Sequence, residues 1–340
     1  MSGNIDFEYG TYLSPQNRDG EQKLCMIQKA PKRRQAGLGG LIYTDNGQIV
    51  KGSIDYRFSS PSLNNSLPIE DKSSDEFLFL GYYFRHYGHF ILETLPMLSY
   101  CLDNRWLEHK KIFLPYFLSP KNIKNKLTKK SNLHLIHSFM HLLGIDTSKV
   151  YFHTNYTNLK SNFIVPPKAV NGDRFQIDGS LHAQVIAKIK SNYTKNAPTK
   201  KTLVLRSIGR MTSAITEYVN TFAMNNGIEL VDMAKLSIEE QIQLIHETKY
   251  LIGFSGSAMH NSMFLQPEAI AINICDLRDF ESPTCYIPNQ KLCNRISQCQ
   301  EYFIDFKYQS DMEKEHFTPL NIEQEKFAAM HIIDQLQTII

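Results

Sequence analysis

The chain has 340 residues, with 37 Lys and Arg against 34 Asp and Glu for a formal charge of +3, and 42% hydrophobic and 21% charged residues. That is a globular composition, which excludes collagen-like, disordered and strongly basic nucleic-acid-tail classes. The length exceeds the roughly 250–300 residues at which single cores stop growing, so two domains with a cleft between them are expected.

No apolar run approaches the ~18 residues of a membrane span, because Phe77–Tyr83 and Phe90–Leu102 are broken by Gly, Glu or Pro. The start, Met1 to Glu8, lacks the basic and apolar regions of a secretory signal, which makes the cytoplasm the expected compartment. The six cysteines, Cys25, Cys101, Cys275, Cys285, Cys293 and Cys299, form no C-x-x-C pair and are expected to be reduced and packed.

In chain order, residues 1–75 alternate turn signals (Gly39-Gly40, Asn46-Gly47, Ser59-Ser-Pro) with short runs such as Leu41–Tyr43 and Gln48–Val50, which predicts short antiparallel strands. From Glu76 the pattern is a strand at Glu76–Leu80, a helix at Tyr87–Leu102, a strand at Lys111–Pro115, a helix at Leu133–Leu143 and a strand at Val150–His153. This alternation predicts a parallel sheet with helices on its faces. Two prolines and turn residues after Phe163 place a linker near 166–180. The second half predicts a Rossmann-like βαβαβ unit. Its strands are Thr202–Leu205, Ile228–Val231, Tyr250–Ile252 and Ala269–Ile274. Its helices are Ser213–Asn225, closed by Asn226-Gly227, and one running from Ser237 to Glu247, with Ser237 and Glu240 as a capping box. Over Ile322–Ile340, the residues Phe327, Met330, Ile333, Leu336 and Ile340 form an apolar helical stripe expected to pack on the protein's own body, with membrane docking as the lesser reading.

Three constellations could carry chemistry. In Tyr83-Phe-Arg-His-Tyr-Gly-His-Phe-Ile-Leu-Glu-Thr-Leu-Pro, His89 and Glu93 are four apart and share one helical face. An imidazole beside a carboxylate makes a general base with its orienting group, and Glu93 is the expected base with His89 as partner or substitute. The bland alternative is a surface pair that caps or solubilises a helix. Pro96, one turn on, argues for function, as kinks at sites often do. The second constellation is Tyr250-Leu-Ile-Gly-Phe-Ser-Gly-Ser-Ala-Met-His-Asn, a strand running into a Gly/Ser loop and then a helix. Gly253 and Gly256 allow close backbone approach, Ser255 and Ser257 add hydroxyl donors, and the helix start offers N–H groups to a phosphate. It is neither a dinucleotide fingerprint nor a Walker loop, and a plain βα turn is the competing reading. The third is Leu205-Arg-Ser-Ile-Gly-Arg-Met at a strand end. There Arg206 and Arg210 can neutralise a diphosphate, and Glu217 can hold sugar hydroxyls or orient an arginine, unless these are solvated charges at a sheet edge.

Other signals point less far. His134, His137 and His141 share a helix face without a carboxylate or Cys among them, and read as a solvated face rather than a metal site. The basic stretches Lys110 to Lys130 and Lys29 to Arg34 read as solvated faces, or as patches for an anionic lipid surface or acidic polymer. With a charge of +3 they do not amount to a nucleic-acid footprint. No D-x-D occurs, so no metal is expected at a nucleotide-sugar site.

In this order the constellations resemble glycosyltransferase family 61, which includes bacterial capsular polysaccharide biosynthesis proteins and eukaryotic N-acetylglucosaminyl- and xylosyltransferases. The resemblance spans Phe84 to Ile274. It rests on the H-x-x-x-[D/E] helix ending in Leu-Pro (His89, Glu93, Leu95, Pro96) and on Arg206 and Arg210 followed by Thr216-Glu217, with Thr where the family has Asn. It rests also on the run from Leu236 to Gln241, and on Gly253, Gly256 and Asn261, with Ser255 where many members have His. It implies a GT-B fold, two facing Rossmann-like domains, and metal-independent inverting transfer from a nucleotide sugar to a cell-surface glycan or lipid-linked glycan acceptor. On this basis residues 1–170 are the acceptor-side domain, 171–310 the donor-binding domain with Asn261 among its donor contacts, and 311–340 a helix packing back. The expected site is cytoplasmic, at the inner face of the membrane. A non-catalytic nucleotide- or glycan-binding module on the same fold is the alternative, and loss of the His89–Glu93 pair or of the arginines would favour it. A Rossmann oxidoreductase would need the absent dinucleotide fingerprint.

Overall fold

The computed structural model describes residues 23–28, 39–44, 68–81, 83, 86–102, 107, 109–115, 134–153, 158–166, 170–171, 176–177, 179–194, 196–205, 213–275, 287–305 and 321–340. It divides into two compact units, Met1–Val185 and Ile186–Ile340. The architecture is mixed α/β, each unit having a sheet with parallel strands compatible with a Rossmann-like domain. No helix among the described residues is long and apolar enough to cross a membrane.

The first unit is built on a six-stranded sheet of order β2-β1-β6-β3-β4-β5. Its strands are β1 Lys23–Gln28, β2 Gly39–Thr44, β3 Ile69–Phe79, β4 Lys111–Pro115, β5 Val150–His153 and β6 Asn158–Ile164. Strands β3 to β6 are mutually parallel where they pair, and β1 is antiparallel to both of its neighbours. The expected antiparallel start is therefore present at β1 and β2, while Gln48–Val50 lies outside the described residues. Residues two apart face the same side of a strand, so Phe77 and Phe79 join Phe113, Leu159 and Phe163 in one core. Strands β7 Val170–Asn171 and β8 Gln176–Ile177 form a small antiparallel pair. Helix α1, His134–Leu143, buries Ile136, Phe139, Met140 and Leu143 and leaves His137 and His141 exposed, which is the predicted polar face. Helix α2, Gly179–Lys190, takes up the chain where a linker was expected to end. It buries Leu181, Val185, Ile186 and Ile189 at helical spacing.

The second unit has a wholly parallel sheet of order β10-β9-β11-β12-β13. In chain order its elements are β9 Lys200–Val204, α3 Ser213–Asn225, β10 Glu229–Val231, α4 Ile238–His246, β11 Thr248–Phe254, β12 Ile270–Cys275, α5 Ile287–Ser297, β13 Gln300–Asp305 and α6 Ile322–Ile339. Gly227, after α3, has φ +67, the left-handed conformation a helix end requires and glycine adopts without strain. The capping box before α4 is formed, with Glu240 N–H donating to Ser237 Oγ at 3.2 Å and Ser237 N–H to Glu240 at 2.7 Å.

Helix α6 packs on the core, but on a face that only partly overlaps the expected stripe, sharing Leu336 and Ile340 with it. Ala328, Ala329, Ile332 and Leu336 are buried with Ile215, Val219 and Ala223 of α3 and with Ile252, Phe254, Ile272 and Ile274 of the sheet. Phe327 and Met330 are 37% and 51% exposed. The stripe weighed large side chains, whereas the observed seam is centred on two alanines, whose small volume lets helices approach closely.

Among the described cysteines Cys101, Cys275 and Cys293 are buried free thiols and Cys299 is partly buried. Burial pushes the Cys101 and Cys293 thiols far up, which keeps them protonated and inert.

Candidate functional site

The first candidate group sits on the helical segment after β3, which is not the uniform helix expected. It begins as an α-helical turn at Tyr87–His89, widens to a π-helix at Phe90–Thr94 and tightens to a 3₁₀-helix at Leu95–Cys101. Phe90 N–H donates to His86 C=O, four residues back, and Leu95 N–H to Phe90 C=O, five back. Pro96 accounts for the change of register: it has no N–H to continue the i→i−4 ladder, and its ring collides with the carbonyl four residues back. Such π-turns recur at functional sites.

This segment brings His89 and Glu93 together. Nδ1 of His89 lies 2.7 Å from Oε1 of Glu93, and their side chains are 42% and 13% exposed. A carboxylate oxygen accepts, so the hydrogen between the two groups is assigned to Nδ1 of His89. The His86 ring lies against His89 edge-on at 5.4 Å. Apolar packing fixes the base of the segment, with Phe90 buried against Phe139 of α1 at a ring separation of 5.3 Å.

The second group lies in the second unit, at the carboxyl edge of its parallel sheet. Gly253 is in register with Val204 of β9 and Asn273 of β12, so the loop after β11 and the chain leaving β9 emerge side by side. Ser255, Gly256 and Ser257 form that loop and are partly exposed. The helix expected after it is a 3₁₀ turn at Met259–Phe264. The Ser255 N–H is already committed to Ile274 C=O at 2.8 Å. A Cβ on Gly253 would lie 2.5 Å from Met259 Sδ and 3.4 Å from Val204 Cβ, so the close approach that this glycine permits is that of Met259. A Cβ on Gly256 would meet the carbonyl oxygen of Phe254 at 3.9 Å, an ordinary van der Waals contact.

Asn261 is fully buried and its amide N–H donates to Gln241 Oε1 at 3.3 Å. Gln241 in turn donates to Met233 C=O at 2.9 Å and Leu236 C=O at 3.2 Å. The leucine-to-glutamine run and the loop's asparagine are therefore interlocked, which gives both a holding role. Below them Gln290 donates to Met259 C=O, Ser262 Oγ and Asn294 Oδ1, and Asn294 to Glu301, pinning the 3₁₀ turn to α5 and β13. Sequence reading missed Gln290 and Asn294; their i,i+4 spacing on a helix was the available signal. Glu217 is exposed on the first turns of α3. Arg206 and Arg210 lie outside the described residues. Among those described, no group of three or more His, Cys, Asp or Glu side chains is placed to hold a metal ion.

The glycosyltransferase 61 family model matches residues 87–272, more than half of the chain, from the start of the composite helix into β12. No curated protein matches. Among solved structures, the crystal structure of a diflavin flavoprotein A3 from Nostoc sp. aligns with a TM-score of 0.28 and 11% identity, over 42% of this chain and 96% of that one, a likeness that carries no argument.

Proposed function

The chain belongs to glycosyltransferase family 61, and from that premise we propose that it transfers a sugar, with inversion and without a metal, from a nucleotide sugar to a cell-surface glycan or lipid-linked glycan. The observation that carries this reading is the His89–Glu93 pair, at 2.7 Å on a π-turn set by Pro96. In the step proposed, the acceptor hydroxyl oxygen bonds to the anomeric carbon, the bond from that carbon to the diphosphate breaks, and the hydroxyl proton passes to the pair. Sequence alone favours Glu93 as the base. The difference in exposure supports the other order: the more exposed imidazole takes the proton, and the less exposed Glu93 accepts from Nδ1–H and steadies the imidazolium that forms.

The departing diphosphate is assigned to the carboxyl edge of the second sheet, where Gly256, with no side chain to crowd the approach, and the hydroxyls of Ser255 and Ser257 support it. Arg206, the residue that follows Leu205 at the end of β9, and Arg210 are proposed to neutralise its charge, with Glu217 orienting them or the sugar. The mixed sheet of the first unit and the parallel sheet of the second support two Rossmann-like domains, with the donor placed by this proposal on the second. The proposed setting is the cytoplasmic face of a membrane.

The test is a pair of variants assayed where chemistry limits the rate. His89→Asn keeps an N–H for Glu93 but has no basic nitrogen, so it should lose about 10²–10⁴-fold in kcat. Glu93→Gln should lose a similar factor by favouring the wrong tautomer. An active His89→Asn beside an inactive Glu93→Gln returns the base to Glu93. Two fully active variants defeat the assignment, and a nucleotide-binding protein without transfer from any nucleotide sugar would be the non-catalytic module.

A further inference from the structure

His182 lies on α2 in the first unit, 1% exposed. Its Nε2 is 2.9 Å from the carbonyl oxygen of Leu92, ninety residues earlier in the chain. A carbonyl only accepts, so His182 is the donor and carries its hydrogen on Nε2. In an uninterrupted α-helix the donor to Leu92 C=O would be the N–H of residue 96. That residue is Pro96, which has none.

We propose that His182 is a positioning residue for the His89–Glu93 pair: it supplies, from a distant helix, the hydrogen bond that Pro96 withholds, and thereby sets the peptide group from which Glu93 departs. The carbonyl of Leu92 and the N–H of Glu93 belong to one planar peptide unit. Anchoring that carbonyl fixes the plane's rotation, which in turn directs the bond from Glu93 Cα to Cβ and the carboxylate beyond it. The π-turn at Phe90–Thr94 makes this support matter more. A widened turn does not by itself stack residues four apart as an α-helix does, so the 2.7 Å contact between His89 and Glu93 needs its backbone held from outside. Both partners also gain by the arrangement, since a buried imidazole and a buried carbonyl are each costly when left unbonded.

The inference rests on the assignment of the His89–Glu93 pair to proton transfer, and its test separates the two. His182→Leu fills the space without a donor and should lower kcat on the order of 10²-fold, the cost of misplacing a reacting group, with KM for the nucleotide sugar unchanged. His182→Gln carries an N–H at the reach of Nε2 and should recover most of the loss. His182→Asn reaches only as far as Nδ1 and should stay slow. If the leucine variant does not fold, the Gln and Asn pair decides alone. Amide hydrogen exchange over residues 90–95 should quicken with Leu and Asn and not with Gln, whatever the pair does in catalysis. On a Glu93→Gln background His182→Leu should cost nothing further in kcat.

Unchanged exchange in the Leu and Asn variants, a Gln variant as slow as Asn, or losses that multiply in the double variant would each overturn the role of His182. Wild-type kcat in Glu93→Gln beside quickened exchange in His182→Asn would instead sink the catalytic reading and leave the anchoring intact.

Discussion

His246 closes α4 with its imidazole buried, Nε2 donating to Thr194 C=O at 3.2 Å and the Tyr193 ring 5.8 Å away. Burial first, and then the charge of Lys190, hold its pKa below 6.5, against smaller opposing effects of backbone hydrogen bonds and Glu247. The folded state thus binds a proton here less readily than the unfolded chain. The stability that follows is complete above pH 6.5 and is lost as the pH falls below it. His246→Gln keeps a donor for Thr194 and cannot titrate, so its denaturation midpoint should fall less steeply with acid than the wild type's; parallel slopes would show that His246 does not govern that range. Gly253 offers a second test. Alanine there meets Met259 Sδ, and Gly253→Ala should cost about 1–3 kcal/mol by overpacking. Combining it with Met259→Ala should be non-additive by more than about 0.5 kcal/mol in a denaturant cycle, and simple additivity would exclude the clash. At this scale the sequence disclosed what is local. His89 and Glu93 are read from a spacing of four, and the Ser237–Glu240 box from a spacing of three. The Gln241–Asn261 bond and the anchor of His182 on Leu92 join residues that only the tertiary fold brings together.

Among the elements, α6 shows why pattern reading finds a helix and yet misplaces its face. A hydropathy stripe gives Phe327 and Met330 more weight than Ala328 and Ala329, whereas a close helix–helix seam selects small side chains. Leu336, common to both readings, should cost about 2–5 kcal/mol on truncation to alanine, while Met330→Ala should stay within about 0.5 kcal/mol. Equal losses by urea denaturation would restore the expected stripe. The strands β4 and β5 and the helix α3 were legible because each is bounded by turn residues and carries a clear period. Helix α2 was not, although Leu181, Val185 and Ile189 repeat every four residues, because it follows Pro166, Pro167 and turn residues that read as a linker. Strand β13 escaped for a different reason: Gln300, Glu301 and Tyr302 open it exposed at the sheet's edge, so no apolar run marks it.

For the molecule as a whole, two units with separate cores and a leaving group assigned to arginines and hydroxyls lead to the expectation that transfer needs no divalent cation. Activity measured after metal stripping should equal that of untreated enzyme. Loss on stripping, restored by Mg²⁺ or Mn²⁺ without a change in folding, would overturn the metal-free mechanism. The alternation of strands and helices made the α/β class readable over both halves. The π-turn in the first unit was not readable, since a proline one turn beyond a motif predicts an interruption but not whether the backbone kinks, breaks or widens.

The seating of α6 on α3 also orders events during synthesis. Ala328, Ala329, Ile332 and Leu336 cover the same face of the sheet as Ile215, Val219 and Ala223, yet Asn225 and Ile322 are separated by on the order of a hundred residues. At about 5–20 residues per second a ribosome takes roughly 5–20 s to bridge that gap. Ile252, Phe254, Ile272 and Ile274 are made within that interval and stay without their final cover until α6 follows. Until α6 has been made, that apolar face of the second unit lacks the cover α6 gives it in the folded chain.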